Sequence, residues 1–369
     1  MPRTPIATQE RSKGHDVNFS LLVNMERFSP DKPYRELLDE LTELVGIAEA
    51  GGFETAWFGE HHAIEFTISP NPLQLIAYLA PRTGRIRLGT AIVTAPYWNP
   101  IRLAGEAAMA DIMTGGRLEL GIARGAYQYE FDRMLDIPQS EGAKYMNELV
   151  PAVKGLWAGN YEHHGECYEF PPTTSVPKPL QQPHPPLWIA ARGQPTHEFA
   201  VANGCNVMGT PLSKPDEEVE ALATRFHGVC ETHGNGARPR LMIARQTVVL
   251  ESAEDWRRPV NAFVEYGRHF ENLFRNIGEV RDGFPAPAPH EQIANREEYD
   301  PEAIRRNQMI GTPDEIIPRI ERYAEWGVDQ YCFHIDNGMR HEDKKRSLEL
   351  FIREVMPAFR EGAKAGAAR

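Results

Sequence analysis

The chain has 369 residues, 41% of them hydrophobic, enough to bury a substantial core and to accommodate a barrel of about 250 residues with insertions. Its formal net charge of −12 argues against a nucleic-acid surface, which needs clustered Lys and Arg. No run approaches the roughly 18 consecutive apolar residues of a membrane span, and the well-separated Cys167, Cys205, Cys230 and Cys332 read as reduced thiols of a cytoplasmic protein.

Met1 to Asp16 mixes Arg, Lys, Gln and Glu without an apolar stretch and reads as a flexible arm, leaving 17–369 as one domain. Val17 to Asn24 then reads as a strand. Tyr34 to Ala50 places Leu37, Leu38, Leu41, Leu44, Val45 and Ala48 three and four apart, an amphipathic helix that Gly51-Gly52 ends. Thr55 to Gly59 is the second strand. Asn71-Pro72 opens a helix to about Arg82, with Asn as cap and Pro in the first turn, and Arg85 to Val93 makes the third strand. A helix from Pro100 to Met113, a strand from Leu118 to Ala123 and a helix from Glu141 to Trp157 continue the alternation up to the Pro-rich excursion Pro171 to Pro186.

Leu187 to Ala191, Asn206 to Gly209, Leu241 to Leu250 and Gln330 to Ile335 supply four more strands. Helices at Thr196 to Ala202, Pro215 to His233 and Pro313 to Trp326 separate them. The last opens on Thr312-Pro313-Asp314-Glu315, a capping box with a first-turn proline. Between the seventh and eighth strands, 252–311 is far longer than an ordinary connection and reads as a lid or substrate-shaping insertion. Eight strand–helix repeats predict an α/β fold, the (β/α)8 TIM barrel with long insertions, whose catalytic groups come from the carboxyl ends of the strands. Glu60, His61, His62, Thr94, Arg124, Arg192, Thr210 and His334 all fall at such ends.

Two of these ends carry distinctive chemistry. Glu60-His61-His62 closes the run Trp57-Phe58-Gly59, and imidazoles titrate nearest neutrality, so they suit proton transfer. Neighbours on an extended backbone point opposite ways, so the two histidines are not expected to share one task. Arg124 ends a second apolar run between Gly121 and Gly125, where a guanidinium and close backbone donors suit a phosphate. Tyr97-Trp98 and the group Tyr127, Tyr129 and Phe131 are aromatics that either line an apolar cavity or simply pack. His163-His164-Gly165-Glu166-Cys167 suits an exposed hairpin better than a metal centre. Neither zincin spacing nor paired Cys motifs are present, so no metal is expected.

Trp57 to Phe66, Leu88-Gly89-Thr90-Ala91-Ile92-Val93, Arg117 to Gly125 and Val355-Met356-Pro357 together resemble the bacterial luciferase family of flavin-dependent monooxygenases. The resemblance implies a barrel that receives reduced FMN from a separate flavin reductase, combines it with O2 as a flavin C4a-peroxide and inserts one oxygen atom into a hydrophobic small molecule such as an aldehyde, ketone or terpene. It implies His61 as the catalytic acid/base, with Glu60 and His62 beside it. It assigns Arg124 to the FMN phosphate and extends the cofactor site to Thr94, Ala126, Ala190, Arg192, Gly193, Thr196 and Thr210. Arg192, or else Lys144, replaces a second phosphate-binding arginine of luciferase. Ala123 stands where luciferase has a reactive cysteine, so light emission is not expected. The family also implies a homodimer. Rival readings are a hydride-transferring oxidoreductase dependent on the deazaflavin F420, against which the Glu-His-His block speaks, and a non-catalytic flavin-binding subunit, against which the retention of His61 speaks.

Overall fold

The computed structural model describes residues 17–233 and 238–359, so the arm foreseen at 1–16 lies outside it. Eight strands close into a barrel: β1 (Asn18–Leu22), β2 (Thr55–Phe58), β3 (Arg87–Thr90), β4 (Leu118–Ala123), β5 (Leu187–Ala190), β6 (Asn206–Gly209), β7 (Leu241–Val249) and β8 (Gln330–His334). Each pairs in parallel with the next, and β8 returns to β1 with Asn18 opposite Gln330 and Leu22 opposite His334. The helices between them are α1 (Tyr34–Gly51), α2 (Pro72–Leu79), α3 (Pro100–Met113), α4 (Gly142–Ala158), α5 (Gln194–Ala202), α6 (Asp216–His233) and α7 (Pro313–Glu325), and α8 (His341–Leu350) follows β8.

Period-two alternation sorts each strand between two apolar environments. Phe19 and Leu21, Leu118, Leu120 and Ile122, Leu241 and Ile243, Tyr331 and Phe333 point outward and form the main core with the helices. Trp57, Trp188, Met208, Met242 and Cys332 point inward and fill the barrel, with the two indoles edge to face at 5.3 Å. Gly89 is required there, because a Cβ at that position would collide with the Trp57 ring. Below them Glu119 accepts Trp188 Nε1–H at 2.6 Å, and Arg240 pairs with Glu54 at 2.6 Å. The buried Glu119 carboxylate also pairs with Arg87, as burial of a charge demands.

The helix signals act as expected. Leu37, Leu41, Leu44, Val45 and Ala48 are the buried stripe of α1, and Gly52 ends it in the left-handed region at φ 87°. Asn71 caps α2 by accepting from Leu73 N–H at 2.9 Å. Glu315 reaches back to Thr312 N–H at 2.8 Å to close the capping box of α7. The run foreseen as one strand from Arg85 to Val93 is interrupted. β3 stops at Thr90, and Val93–Thr94 pairs separately with β4, Thr94 opposite Ala123. The small residues of α3 pack inward: Ala104, Ala107, Ala108 and Ala110 are buried, while Met109, Ile112 and Met113 stand exposed.

The segment at 252–311 folds over the mouth. Its main helix, Arg257–Arg275, and a strand, Met309–Gly311, bracket it, and that strand extends the sheet beside β7 with Met309 opposite Thr247. Glu271 staples the helix to the following turn, because its buried carboxylate accepts Tyr299 Oη–H at 2.7 Å and pairs with Arg296 at 2.6 Å and with Arg275. The hairpin foreseen around His163 is present between Tyr161–His164 and Glu169–Thr173, with His163 held by Glu148 at 3.0 Å.

Candidate active site

The mouth at the carboxyl ends of the strands holds a cavity of about 430 Å3. Leu22, Ala91, Ile92, Ala190, Met208, Thr210, Ala244, Gln246 and His334 form its floor and walls from the strand ends. Phe263, Tyr266, Phe270 and Phe274 of the insertion helix form its roof. Small residues, Ala91, Ala190, Gly209 and Ala244, leave room among the larger side chains of the floor. Gly121 adds to this, since a Cβ there would collide with the Thr90 carbonyl and press on Ile92 at 3.3 Å and Met208 at 3.1 Å. Burial pushes the Tyr266 phenol well above its ordinary range and pulls the His334 imidazole below its own, so both are neutral polar groups in an apolar chamber.

Beyond β2 the chain stays extended, and its side chains divide by parity. Glu60 and His62, two apart, lie on one side: the buried Glu60 carboxylate meets His62 Nε2 at 2.8 Å and accepts Thr94 N–H at 2.5 Å and Trp98 Nε1–H at 3.0 Å. Burial pulls the His62 imidazole down, but the Glu60 carboxylate outweighs it and holds the group above its ordinary value. His61 turns to the other side. Its Nδ1 is 3.3 Å from Oε1 of Glu130, and its ring stacks on Tyr127 with centroids 5.0 Å apart. No described protein group meets its Nε2. His61 is not itself a wall of the cavity. Tyr127 links it there, packing edge-on against Phe270 with centroids 6.1 Å apart.

Arg124 follows β4 directly and Arg192 follows β5 by two residues, and these strands pair with Ile122 opposite Ile189. Their exposed guanidinium groups therefore rise from neighbouring strand ends, and no partner among the described residues engages either one. Gly125 makes the turn possible at φ 89°, where a Cβ would lie 2.6 Å from the Phe131 ring and 2.8 Å from Thr94 Cγ2. Ala126 is exposed beside it, and Gly193 and Thr196 lie at the amino end of α5, where backbone N–H groups favour an anion. Ala190 and Thr210 line the cavity itself. Thr94 is buried and its N–H is committed to Glu60, so its contribution is to the wall beneath Gly125. Lys144 is engaged on the surface by Glu141 and Glu166, each at 2.9 Å, which leaves Arg192 as the better second cation.

Glu130, Gln246 and the roof aromatics escaped the sequence reading. The signal for Glu130 was faint: one acid inside the aromatic run Tyr127 to Phe131, on the short helix Gln128–Met134, with the buried Tyr129 and Phe131 on either side. Trp98 packs beneath Glu60, and Tyr129 and Phe131 are core, while Tyr127 alone of its group reaches the site. Among the described residues no three His, Cys, Asp or Glu side chains are grouped to hold a metal ion.

A largely apolar chamber at a barrel mouth, two arginines unpaired among the described residues after neighbouring strand ends and a carboxylate-backed imidazole suit a flavin, whose ring needs an apolar wall and whose phosphate needs cations. The relatives of the chain make it a flavin-dependent monooxygenase. The chain belongs to the luciferase-like monooxygenase family, whose model matches residues 17–330. The oxygenase component of the flavin-dependent trigonelline monooxygenase of Acinetobacter baylyi is 50% identical over 346 residues, 94% of this chain and 96% of that protein. The FMNH2-dependent dimethylsulfone monooxygenase of Pseudomonas putida is 27% identical over 353 residues, 88% of each chain. The crystal structure of the monooxygenase RslO1 of Streptomyces bottropensis superimposes with a TM-score of 0.78 at 24% identity, over 93% of this chain and all of that one. The barrel fold is thereby shown.

Proposed function

We propose that this chain is the oxygenase component of a two-component system that receives reduced FMN from a separate flavin reductase and oxygenates a small ring-bearing molecule of the trigonelline kind. The observation that supports the reading is the setting at the strand ends: His61 stacks on Tyr127, which packs on the cavity-lining Phe270, and Arg124 and Arg192 follow β4 and β5 with no partner among the described residues on their guanidinium groups, Arg192 two residues after the cavity-lining Ala190. Reduced FMN, when bound, supplies the electrons that activate O2, so that one oxygen atom passes to the substrate and the other leaves as water. Arg124 and Arg192 would hold its phosphate by charge-assisted hydrogen bonds, with Gly193 and Thr196 offering the amino end of α5. Ala126 borders that anchor, and Ala190 and Thr210 border the ring.

His61 gives and takes a proton at Nε2 during oxygenation, a general acid/base task that an imidazole can perform. Glu60 and His62 hold the loop that carries it. The roof excludes water and offers aromatic faces to a flat ring. Trigonelline carries an N-methylated pyridinium, which such faces attract, and a carboxylate. Gln246, Thr210 and His334 are among the polar groups of the lining that would orient such a ligand. The neighbour named for trigonelline, matched over nearly the whole chain, supports this substrate class. We further assign the protein to the cytoplasm, in keeping with the absence of any described helix long and apolar enough to cross a membrane. A homodimer formed through the exposed Met109, Ile112 and Met113 of α3 completes the proposal.

The test is oxygen uptake by the purified chain with a flavin reductase, NADH and FMN, in the presence of trigonelline and of neutral carbonyl compounds. Substrate-dependent uptake with a product heavier by one oxygen is expected with the pyridinium compound. Uptake that yields only hydrogen peroxide with every compound would overturn the assignment.

A further inference from the structure

The two histidines are served by two different carboxylates, and only one of those was visible beside them in sequence. The Glu60 carboxylate is consumed by His62, Trp98 and Thr94 and makes no hydrogen bond to the His61 ring. Glu130, 69 residues further on, is buried, and one oxygen, Oε1, is shared between two groups of the loop: His62 N–H at 2.6 Å and His61 Nδ1 at 3.3 Å. A carboxylate offers acceptors only, so the ring nitrogen facing it is satisfied as N–H, while the same nitrogen without its proton would set two acceptors against each other. The backbone bond to His62 fixes that oxygen in place. Tyr127 fixes the plane of the imidazole by stacking, and the His61 N–H bond to the Ser69 carbonyl at 3.0 Å fixes its backbone. The other groups facing the ring, Tyr127 and the preceding Glu60–His62 pair, bring no competing acceptor to Nδ1.

We propose that Glu130 is the positioning residue that keeps the His61 proton on Nδ1, so that Nε2 is the nitrogen presented to the reacting groups. This rests on the assignment of His61 as the acid/base group above. It gives Glu130 a role through His61, without contact with substrate or cofactor, in the way that a hydrogen bond at one ring nitrogen sets the state of the other.

The tautomer can be read directly from the full chain labelled with 15N-histidine, in long-range 1H–15N correlation spectra recorded above the imidazole titration range and assigned by comparison with His61→Asn. Wild-type His61 is expected to show a protonated Nδ1 and an unprotonated Nε2. Glu130→Leu is expected to mix or reverse the two signals and to lower kcat roughly tenfold or more, with KM moved less than about twofold. Glu130→Gln keeps an acceptor oxygen in place and is expected to restore the wild-type pattern and most of kcat. A wild-type ring protonated at Nε2, or unchanged His61 signals in Glu130→Leu, overturns the proposal. If the Leu variant does not fold, the wild-type and Gln spectra still decide. Full turnover by His61→Asn alongside spectra that follow Glu130 would refute the acid/base assignment and leave the positioning role standing.

Discussion

On the β2 to β4 side of the mouth, the candidate groups follow their strands within a few residues, and a rigid wall of buried side chains sets them. Glu60, His61 and His62 follow β2 after one glycine, Gly59, and Arg124 comes directly after β4. On the β7 to β8 side, the strand ends bear quieter groups, Gln246 and His334, and the chamber takes its shape from a helix inserted between those two strands. The difference separates chemistry from selection. In the proposed assignment, proton handling falls to the side of β2 to β4 and phosphate handling to the ends of β4 and β5, where positions must hold closely, while ligand shape falls to the roof, a separate layer stapled down by Glu271.

His61→Asn is the severest challenge to this division. It should lower turnover by about 10²- to 10⁴-fold while FMN affinity in a titration stays near wild type, and a loss appearing in flavin affinity instead would move His61 to the binding machinery. The next largest effect is on stability. Asp216 joins α6 to α7, pairing with Arg319 at 2.7 Å, Arg322 at 3.0 Å and Arg245 at 3.3 Å. Burial opposes its charge, but those guanidinium groups and the Tyr323 hydroxyl prevail and hold the carboxyl at about 2. Asp216→Ala should destabilise the fold by about 3 kcal/mol in urea unfolding near neutral pH. Because its folded value lies below the ordinary 3.8, this stabilisation is complete above that value and fades as pH falls through about 2. The gap between wild type and variant should therefore narrow in acid; a constant gap would mean the effect is packing.

Arg124→Ala should weaken FMN by about 2 kcal/mol, the scale of a charge-assisted hydrogen bond, with kcat at saturating flavin little changed. Unaltered affinity would shift the phosphate to Arg192. The mildest change, Phe270→Ala in the roof, should raise KM for an aromatic substrate several-fold, about 1 kcal/mol, and leave FMN affinity alone. If kcat fell in proportion with KM steady, the boundary drawn between the two sides would fail.

Much of the mouth was legible because its signals are local. Alternating apolar residues set each strand's inward and outward faces, caps at Asn71 and Thr312 mark helix starts, and a chain that remains extended past β2 must throw His61 and His62 to opposite sides. Those facts depend on neighbours within a few positions, and they were enough for the barrel, its strand ends and the separation of the two histidines. Which carboxylate each histidine meets was half local: Glu60 reaches His62 because residues two apart share a side. Glu130 reaches His61 only after β2, β3 and β4 have been laid side by side and the short helix Gln128–Met134 has folded back over the loop. The roof was settled the same way. The insertion's length announced an excursion, but Phe263, Tyr266 and Phe270 became cavity walls only through docking of their helix on the closed barrel, a contact between surfaces far apart in sequence that periodicity along the chain cannot encode.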